Sequence, residues 1–209
     1  MSGMWIAGEG ATRMRVLVAC EYSGVVRDAF LAKGHEAVSC DILPAESAGP
    51  HIQGDVRGVL GDGWDLMVAH PPCTYLTWAG AGNWNDPGRA EKREEAVRLF
   101  MDLYNAPIPR VAIENPRGYI QKVFRKQDQE VNPFDFGEPE RKRVCLWLKG
   151  LPPLISTEVV AVKPKKVYVR ADGRRYKTYF HQGKSAKERA RFFVGMARAM
   201  ADQWGVAER

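Results

Sequence analysis

The chain has 209 residues and a mass of 23.5 kDa, with 45% hydrophobic residues, enough for one well-buried domain and a small appendage but not for two full domains. Its 31 Lys and Arg against 25 Asp and Glu leave a net charge of +6 and a pI near 9.2, an excess that points to a polyanionic partner only where the basic residues cluster. Cys20, Cys40, Cys73 and Cys145 have neither CxxC spacing nor a histidine in a ligand pattern, which argues against a metal site and for a reducing compartment. No apolar run approaches the roughly 20 residues of a membrane helix, and nothing resembles a signal peptide. A soluble cytoplasmic protein with no membrane partner is therefore expected.

Residues 1–13, glycine-rich and aperiodic, read as a loose amino-terminal extension. Arg15 to Cys20 is a continuous apolar run and predicts a central parallel strand. Glu21 to Gly24 is a turn, and Val25 to Lys33 carries helical spacing closed by Gly34. Glu36 to Cys40 predicts a second strand with Asp41 at its tip, so the chain opens on a βαβ unit with an acid placed to accept both hydroxyls of a ribose. Asp55, in the loop Gly54-Asp55-Val56, suits either an exocyclic amine or a turn cap.

Leu66 to Ala69 is a short apolar run that reads as a buried strand and is stopped by His70-Pro71-Pro72. It presents Cys73 at the carboxyl end of the strand, where open α/β sheets place their ligand crevice. Unpaired cysteines are also common core fillers, and Cys73 alone does not decide between the two. Thr77 to Asn85 is glycine-rich yet holds Trp78 and Trp84, the pattern of a flap; Asp86-Pro87 then predicts a helix start, with Val97, Phe100, Met101 and Tyr104 as its core stripe. Arg110 to Ile113 predicts another strand, ending at Glu114-Asn115-Pro116. If it neighbours the Cys73 strand, a thiol and a carboxyl face one crevice.

Arg141-Lys142-Arg143 opens a predicted strand from Val144 to Leu148. Residues 159–179 alternate around an Asp172-Gly173 turn and predict a β-hairpin in which Lys165, Lys166, Arg170, Arg174 and Arg175 are interleaved with tyrosines, as in a nucleic-acid-facing ribbon or a lysine-protected edge. A last helix, capped by Ser185 and reaching Trp204, should dock on the sheet through Phe193, Ala197, Met200 and Trp204. The expected organisation is an α/β core over 14–150, a basic hairpin region over 151–180 and a returning helix over 181–209.

With these residues placed, the chain resembles the S-adenosylmethionine-dependent cytosine-C5 methyltransferases, particularly small phage-encoded members. Pro72-Cys73 with Leu76-Thr77 and Ala79-Gly80 resembles that family's nucleophile motif, and Glu114-Asn115 its Glu-Asn dipeptide. The resemblance implies a Rossmann-like methyltransferase fold with helices on both faces of a mostly parallel sheet, and S-adenosylmethionine as cofactor. Tyr22, Ser23, Gly24, Asp41, Ile42, Asp55, Val56 and Pro72 would then hold the cofactor, without a metal. Arg141 and Arg143 fall on the arginines that contact the flipped cytosine, Gly183-Lys184-Ser185 on the closing motif. Departures are Val26 and Arg27 where the family has glycines, Pro139 for a glutamine, Pro116 after Glu-Asn, and a target-recognition region reduced to 151–180.

The implied activity is methylation of cytosine C5 in DNA, in the cytoplasm of a bacterium or a phage-infected cell. Carbon 5 is a poor nucleophile until a thiolate, here Cys73, adds at C6. A Glu114 carboxyl kept protonated by burial would relieve the charge at N3. Thr77 and Trp84 in the flap, with the hairpin cations, would contact the nucleic acid around an extruded base. The same residues suit RNA, single-stranded DNA or a free cytosine nucleotide, and a non-catalytic cofactor-binding nucleic-acid protein is the reading from another class.

Overall fold

The computed structural model describes residues 13–78, 86–164, 166–170, 172–178 and 191–206. The amino-terminal extension up to residue 12, the flap over 79–85 with Trp84, Lys165, and the Gly183-Lys184-Ser185 motif lie outside the described residues.

The first strand, β1 (Arg15–Ala19), is followed by α1 (Val25–Ala32), β2 (Glu36–Asp41) and the short β3 (His51–Gln53). Then come β4 (Leu66–Ala69), α2 (Arg89–Asn105), β5 (Arg110–Asn115), the single turn α3 (Ile120–Val123), β6 (Gln129–Val131) and β7 (Val144–Lys149). One seven-stranded sheet runs β3-β2-β1-β4-β5-β7-β6, parallel from β3 to β5, with β7 antiparallel to both β5 and β6. It is a Rossmann-like α/β fold.

The continuous apolar runs of β1 and β4 are explained by burial on both sides of the sheet. Val16, Val18, Leu66 and Val68 face a cluster shared with Val26 and Phe30 of α1 and with Met196, Met200 and Trp204 of the last helix, α4 (Val194–Trp204). Leu17, Ala19, Met67 and Ala69 face the opposite cluster with Phe100 and Leu103 of α2 and with Trp147. Helices therefore cover both faces. No described helix is long and apolar enough to cross a membrane.

Several boundaries differ from those expected. The strand read as Arg110 to Ile113 continues through Glu114 and Asn115, because these pair across to Leu146 and Cys145 of β7. Glu114 is thus held in a rung of the sheet rather than on a free tip. Helix α2 starts at Arg89 after Gly88 in the left-handed region, not at Asp86-Pro87. The hairpin is confined to β8 (Lys166–Val169) and β9 (Arg175–Thr178), a separate two-stranded sheet. Strands β3 and β6 were not expected.

The strand order reverses between β1, which continues to β2 on one side, and β4 on the other. In open α/β sheets the ligand crevice lies outside the carboxyl ends of the strands at such a point. Here those ends are Cys20-Glu21 and His70-Pro71-Pro72-Cys73.

Candidate active site

The loop after β4 carries Cys73 to this crevice and interlocks with the segment after β5, whose second-last rung holds Glu114. The strand direction of β4 carries one residue past its end, where His70 N–H donates to the Ala19 carbonyl at 2.9 Å. The proline pair then turns the chain, and the Cys73 carbonyl accepts from the amides of Leu76 and Thr77 at 2.9 and 3.0 Å. From Leu76 to Trp78 the backbone is laced to the segment after β5. Tyr119 N–H donates to the Leu76 carbonyl at 2.7 Å, Trp78 N–H to the Arg117 carbonyl at 3.2 Å, and Thr77 bridges Gly118. That approach requires glycine, since a Cβ on Gly118 would stand 1.9 Å from the Leu76 carbonyl oxygen. Buried Asn115 completes the lock by donating from Nδ2 to the Pro71 carbonyl at 3.0 Å.

Because β4 and β5 are parallel neighbours, Cys73 and Glu114 meet at one end of the sheet, as the strand tips predicted. Cys73 is exposed. The packing around its sulfur, and after that the Glu114 charge, raise the thiol pKa, while Lys142 works in the opposite direction. Glu114 departs from the expectation of a carboxyl protonated by burial. Burial does push its pKa up, but His70 and Lys142 outweigh it, and the carboxyl is held below its ordinary range. His70 Nδ1 lies 3.7 Å from Glu114 Oε2, an ion-pair distance, and neither nitrogen of its ring makes a hydrogen bond among the described residues.

The cation that faces this pair is Lys142, between the two arginines singled out from sequence. Arg143 is exposed and paired at 2.6 Å with Glu130 of β6, which also binds Arg117 at 2.7 Å. Arg141 is exposed as well. Lys142 Nζ stands 5.4 Å above the Phe193 ring, and the neighbouring Phe192 ring stacks on His70 with centroids 4.5 Å apart. Residues 191–195 thereby form a strap across the crevice mouth. Arg191 is tied to Glu46 at 2.8 Å at one end, and Gly195 N–H donates to Glu138 at 2.6 Å at the other. The sequence signal for Phe192 and Lys142 was present only as an aromatic and a basic pair in unpatterned segments.

The other half of the crevice is acidic. Glu21, buried where β1 meets α1, accepts from the amides of Val26 and Arg27 at 2.7 and 3.2 Å and from the Ser23 hydroxyl at 3.2 Å. The amides at the start of α1, which in dinucleotide-binding folds take a phosphate, are therefore occupied by the chain's own carboxylate. Asp41 at the end of β2, where its carboxylate accepts from Leu43 N–H at 2.9 Å, and Asp55, which caps a short 3-10 turn by accepting from Arg57 N–H at 3.0 Å, both act on the Cys20 thiol. Burial first, and then Asp41 and Asp55, push Cys20 up to about 12. Cys20 has φ 57°, the only positive value on a non-glycine among the described residues, and this marks the turn at the end of β1 as strained.

Arg27, which stands where more glycine was expected, is a buried bracket. Its guanidinium donates to Asp28 at 2.8 Å, Ser39 at 3.1 Å, Ser47 Oγ at 2.6 Å and the Ala48 carbonyl at 3.0 Å. It thus holds the 44–50 loop over Tyr22 and Ser23, whose carbonyls accept from Glu46 N–H and Ser47 Oγ. Gly24, with φ 77°, leaves room for it, since a Cβ there would lie 2.4 Å from Arg27 Nη2. At the rim, Ile42 is 74% exposed and Pro72 is exposed, whereas the Val56 side chain belongs to the core.

Asp41 and Asp55 thus bring hydrogen-bond acceptors and negative charge to this half of the crevice, and the amides at the start of α1 are taken by Glu21. The hairpin is separate: Val167, Tyr168 and Val169 are 43%, 47% and 65% exposed, Arg170, Arg174 and Arg175 are exposed, and Arg174 pairs with Asp172 at 3.7 Å.

No protein-family model and no curated protein matches the chain. Among solved structures, it is similar to the Entamoeba histolytica methyltransferase EhMeth, with 16% identity over 71% of this chain and 58% of that one and a TM-score of 0.46. It is also similar to WbdD, crystallised with the kinase inhibitor LY294002, with 14% identity over 84% of this chain and 47% of that one and a TM-score of 0.41. The chain thus spans about half the length of these structures.

Proposed function

We propose that the protein is an S-adenosylmethionine-dependent methyltransferase acting on cytosine C5 in DNA. The observation that supports this reading best is the delivery of Cys73 and Glu114 by adjacent parallel strands to the same end of the sheet, close enough for the Glu114 charge to act on the Cys73 thiol. Tyr22 to Gly24, Asp41, Ile42, Asp55, the Val56 backbone and Pro72 surround the place where the cofactor would lie. When bound, S-adenosylmethionine supplies the methyl group that C5 accepts.

Cys73 adds through sulfur to C6 of the extruded base, forming the S–C6 bond as the C5–C6 double bond opens toward C5. Charge that develops toward N3 is met by Glu114. In the free protein Glu114 is anionic, and a base stacked over it deepens the burial that favours its protonated form. Glu114 then donates to N3, with His70 close enough to exchange that proton through a short reorientation. Lys142 favours the Cys73 thiolate before addition. Loss of the C5 proton to water and return of the N3 proton to Glu114 regenerate the double bond as the S–C6 bond breaks and Cys73 leaves as thiolate. The strap residues Phe192 and Phe193 shield His70 and Lys142 from water and so strengthen both charge interactions.

The test is incubation with S-adenosylmethionine and an oligonucleotide containing 5-fluorocytosine, whose C5 fluorine blocks the last step. A stable adduct mapped to Cys73 and absent in Cys73→Ala is expected. Cofactor binding without an adduct on duplex DNA, single-stranded DNA or RNA overturns the reading.

A further inference from the structure

Most arginines near the crevice are neutralised. Arg57 binds Asp102 and Glu95, Arg98 binds Glu95, Arg117 and Arg143 share Glu130, and Arg125 binds Asp128. One group of cations beside the Cys73 loop is treated differently. Arg89 stands 5.2 Å over the Tyr75 ring and donates to the Thr74 carbonyl at 3.3 Å, one residue beyond Cys73. Lys92 lies 5.8 Å over the same ring, and Lys122 lies 6.0 Å over Tyr119. None of the three has a carboxylate within ion-pair distance among the described residues.

The arrangement follows from helical spacing. Arg89, Lys92 and Arg93 at i, i+3 and i+4 share one face of α2, which turns toward Tyr75 and Tyr119, while Glu91 and Glu94 fall on the opposite face and Glu95, between the two, is engaged by Arg57 and Arg98. The acids that would otherwise quench the cations are thus held away. Lys92 and Lys122 are exposed, and so is Trp78 on the same rim. Uncompensated cations lying on aromatic rings form a positive surface with fixed geometry, and this suits repeated phosphates with sugars or bases between them.

We propose that this rim, built from Arg89, Lys92 and Lys122 over Tyr75 and Tyr119, grips the sugar-phosphate backbone of the strand whose base enters the Cys73 crevice. The inference rests on the reading of DNA as substrate. It places the main electrostatic contact on the core of the protein, beside the nucleophile, rather than on the β8–β9 hairpin. Such contacts set register along the strand without reading bases.

The experiment compares the salt dependence of binding to a 20-base-pair duplex for the wild type, Lys92→Ala/Lys122→Ala and a hairpin variant, Arg170→Ala/Arg175→Ala. Each lost phosphate contact removes about 0.9 from the slope of log affinity against log salt. The rim variant is expected to lose about 1.8 from that slope, equally on unrelated sequences, with an unchanged melting temperature. A rim variant that keeps the wild-type slope overturns the inference, as does a slope lost only in the hairpin variant. The covalent trapping assay separates the two readings. An adduct at Cys73 with an unchanged rim slope defeats the rim alone. A rim-dependent slope without an adduct on any nucleic acid leaves the rim standing and defeats the methyltransferase.

Discussion

Glu114 Oε2 lies 3.7 Å from Nδ1 of His70, a histidine whose ring nitrogens are both buried and have no hydrogen-bond partner among the described residues. A carboxylate in that position is stabilised as an anion in spite of its burial. The role proposed for it at N3 therefore requires a proton gained on substrate binding. Glu114→Gln should keep duplex binding and lose about 10²- to 10⁴-fold in single-turnover methyl transfer. His70→Asn removes one of the groups that hold Glu114 down, so Glu114 should titrate higher. The limb of the pH–rate profile in which activity falls as this carboxyl ionises should then move to higher pH. Profiles of wild type and His70→Asn that superimpose would remove His70 from the mechanism.

Cys73 is set apart from the other thiols by exposure rather than by a low pKa. Cys40 and Cys145 are buried and pushed up to about 11, chiefly by burial, and Cys20 to about 12. Iodoacetamide at pH 8 should therefore alkylate Cys73 first, and peptide mass spectrometry reads the order directly. Lys142→Met deletes the charge that favours the Cys73 thiolate and should slow this alkylation. Labelling of Cys20 ahead of Cys73, or a rate indifferent to Lys142, contradicts the assignment.

How much of this was legible in the sequence differs from element to element for physical reasons. β1, β4 and β7 contain apolar runs of four residues or more, the mark that burial on two sides leaves in a sequence, while β5 keeps the run Val111-Ala112-Ile113 and β2 the shorter Ala37-Val38 ahead of Cys40. β3 (His51–Gln53) and β6 (Gln129–Val131) are short, mixed in polarity and defined by the strands they pair with, so no local pattern announces them. The meeting of Cys73 with Glu114 followed from strand adjacency alone. What escaped was the choice among Arg141, Lys142 and Arg143, because Glu130, the residue that captures Arg143, sits on the strand that was not legible. Arg27 shows the same limit: its role as a bracket depends on Ser47 and Ala48, some 20 residues away.

His35 gives a stability test independent of the site. It is buried against Phe30, and its Nδ1 accepts from Met14 N–H at 3.4 Å, which requires the neutral ring. Burial, and then Arg110, lower its pKa from 6.5. Because the folded value is the lower one, the unfolded chain takes up the proton first. Stability is complete above about pH 6.5 and falls as the pH drops from there toward the folded pKa. In His35→Gln the urea midpoint should vary less between pH 7 and pH 5 than in the wild type. An equal pH response in both proteins would show that other groups carry it.

Gly118 links the architecture to the chemistry most directly. The Leu76 carbonyl that a Cβ at Gly118 would strike at 1.9 Å belongs to backbone, and it is held from the other side by Tyr119 N–H at 2.7 Å, so no flexible side chain is available to give way. In Gly118→Ala the lacing between 76–78 and 117–119 must open. The strands themselves do not depend on it, so the cost to stability should be about 1–3 kcal/mol, within the ordinary range for a local backbone clash. Cys73 lies three residues from the displaced carbonyl, and a shift of about 1 Å at a reacting atom costs about 10²-fold in rate. Adduct formation at Cys73 should therefore fall far more than the folded fraction measured by thermal unfolding at the assay temperature. A Gly118→Ala protein that traps 5-fluorocytosine in proportion to its folded fraction would mean that the lacing supports the fold without positioning the nucleophile.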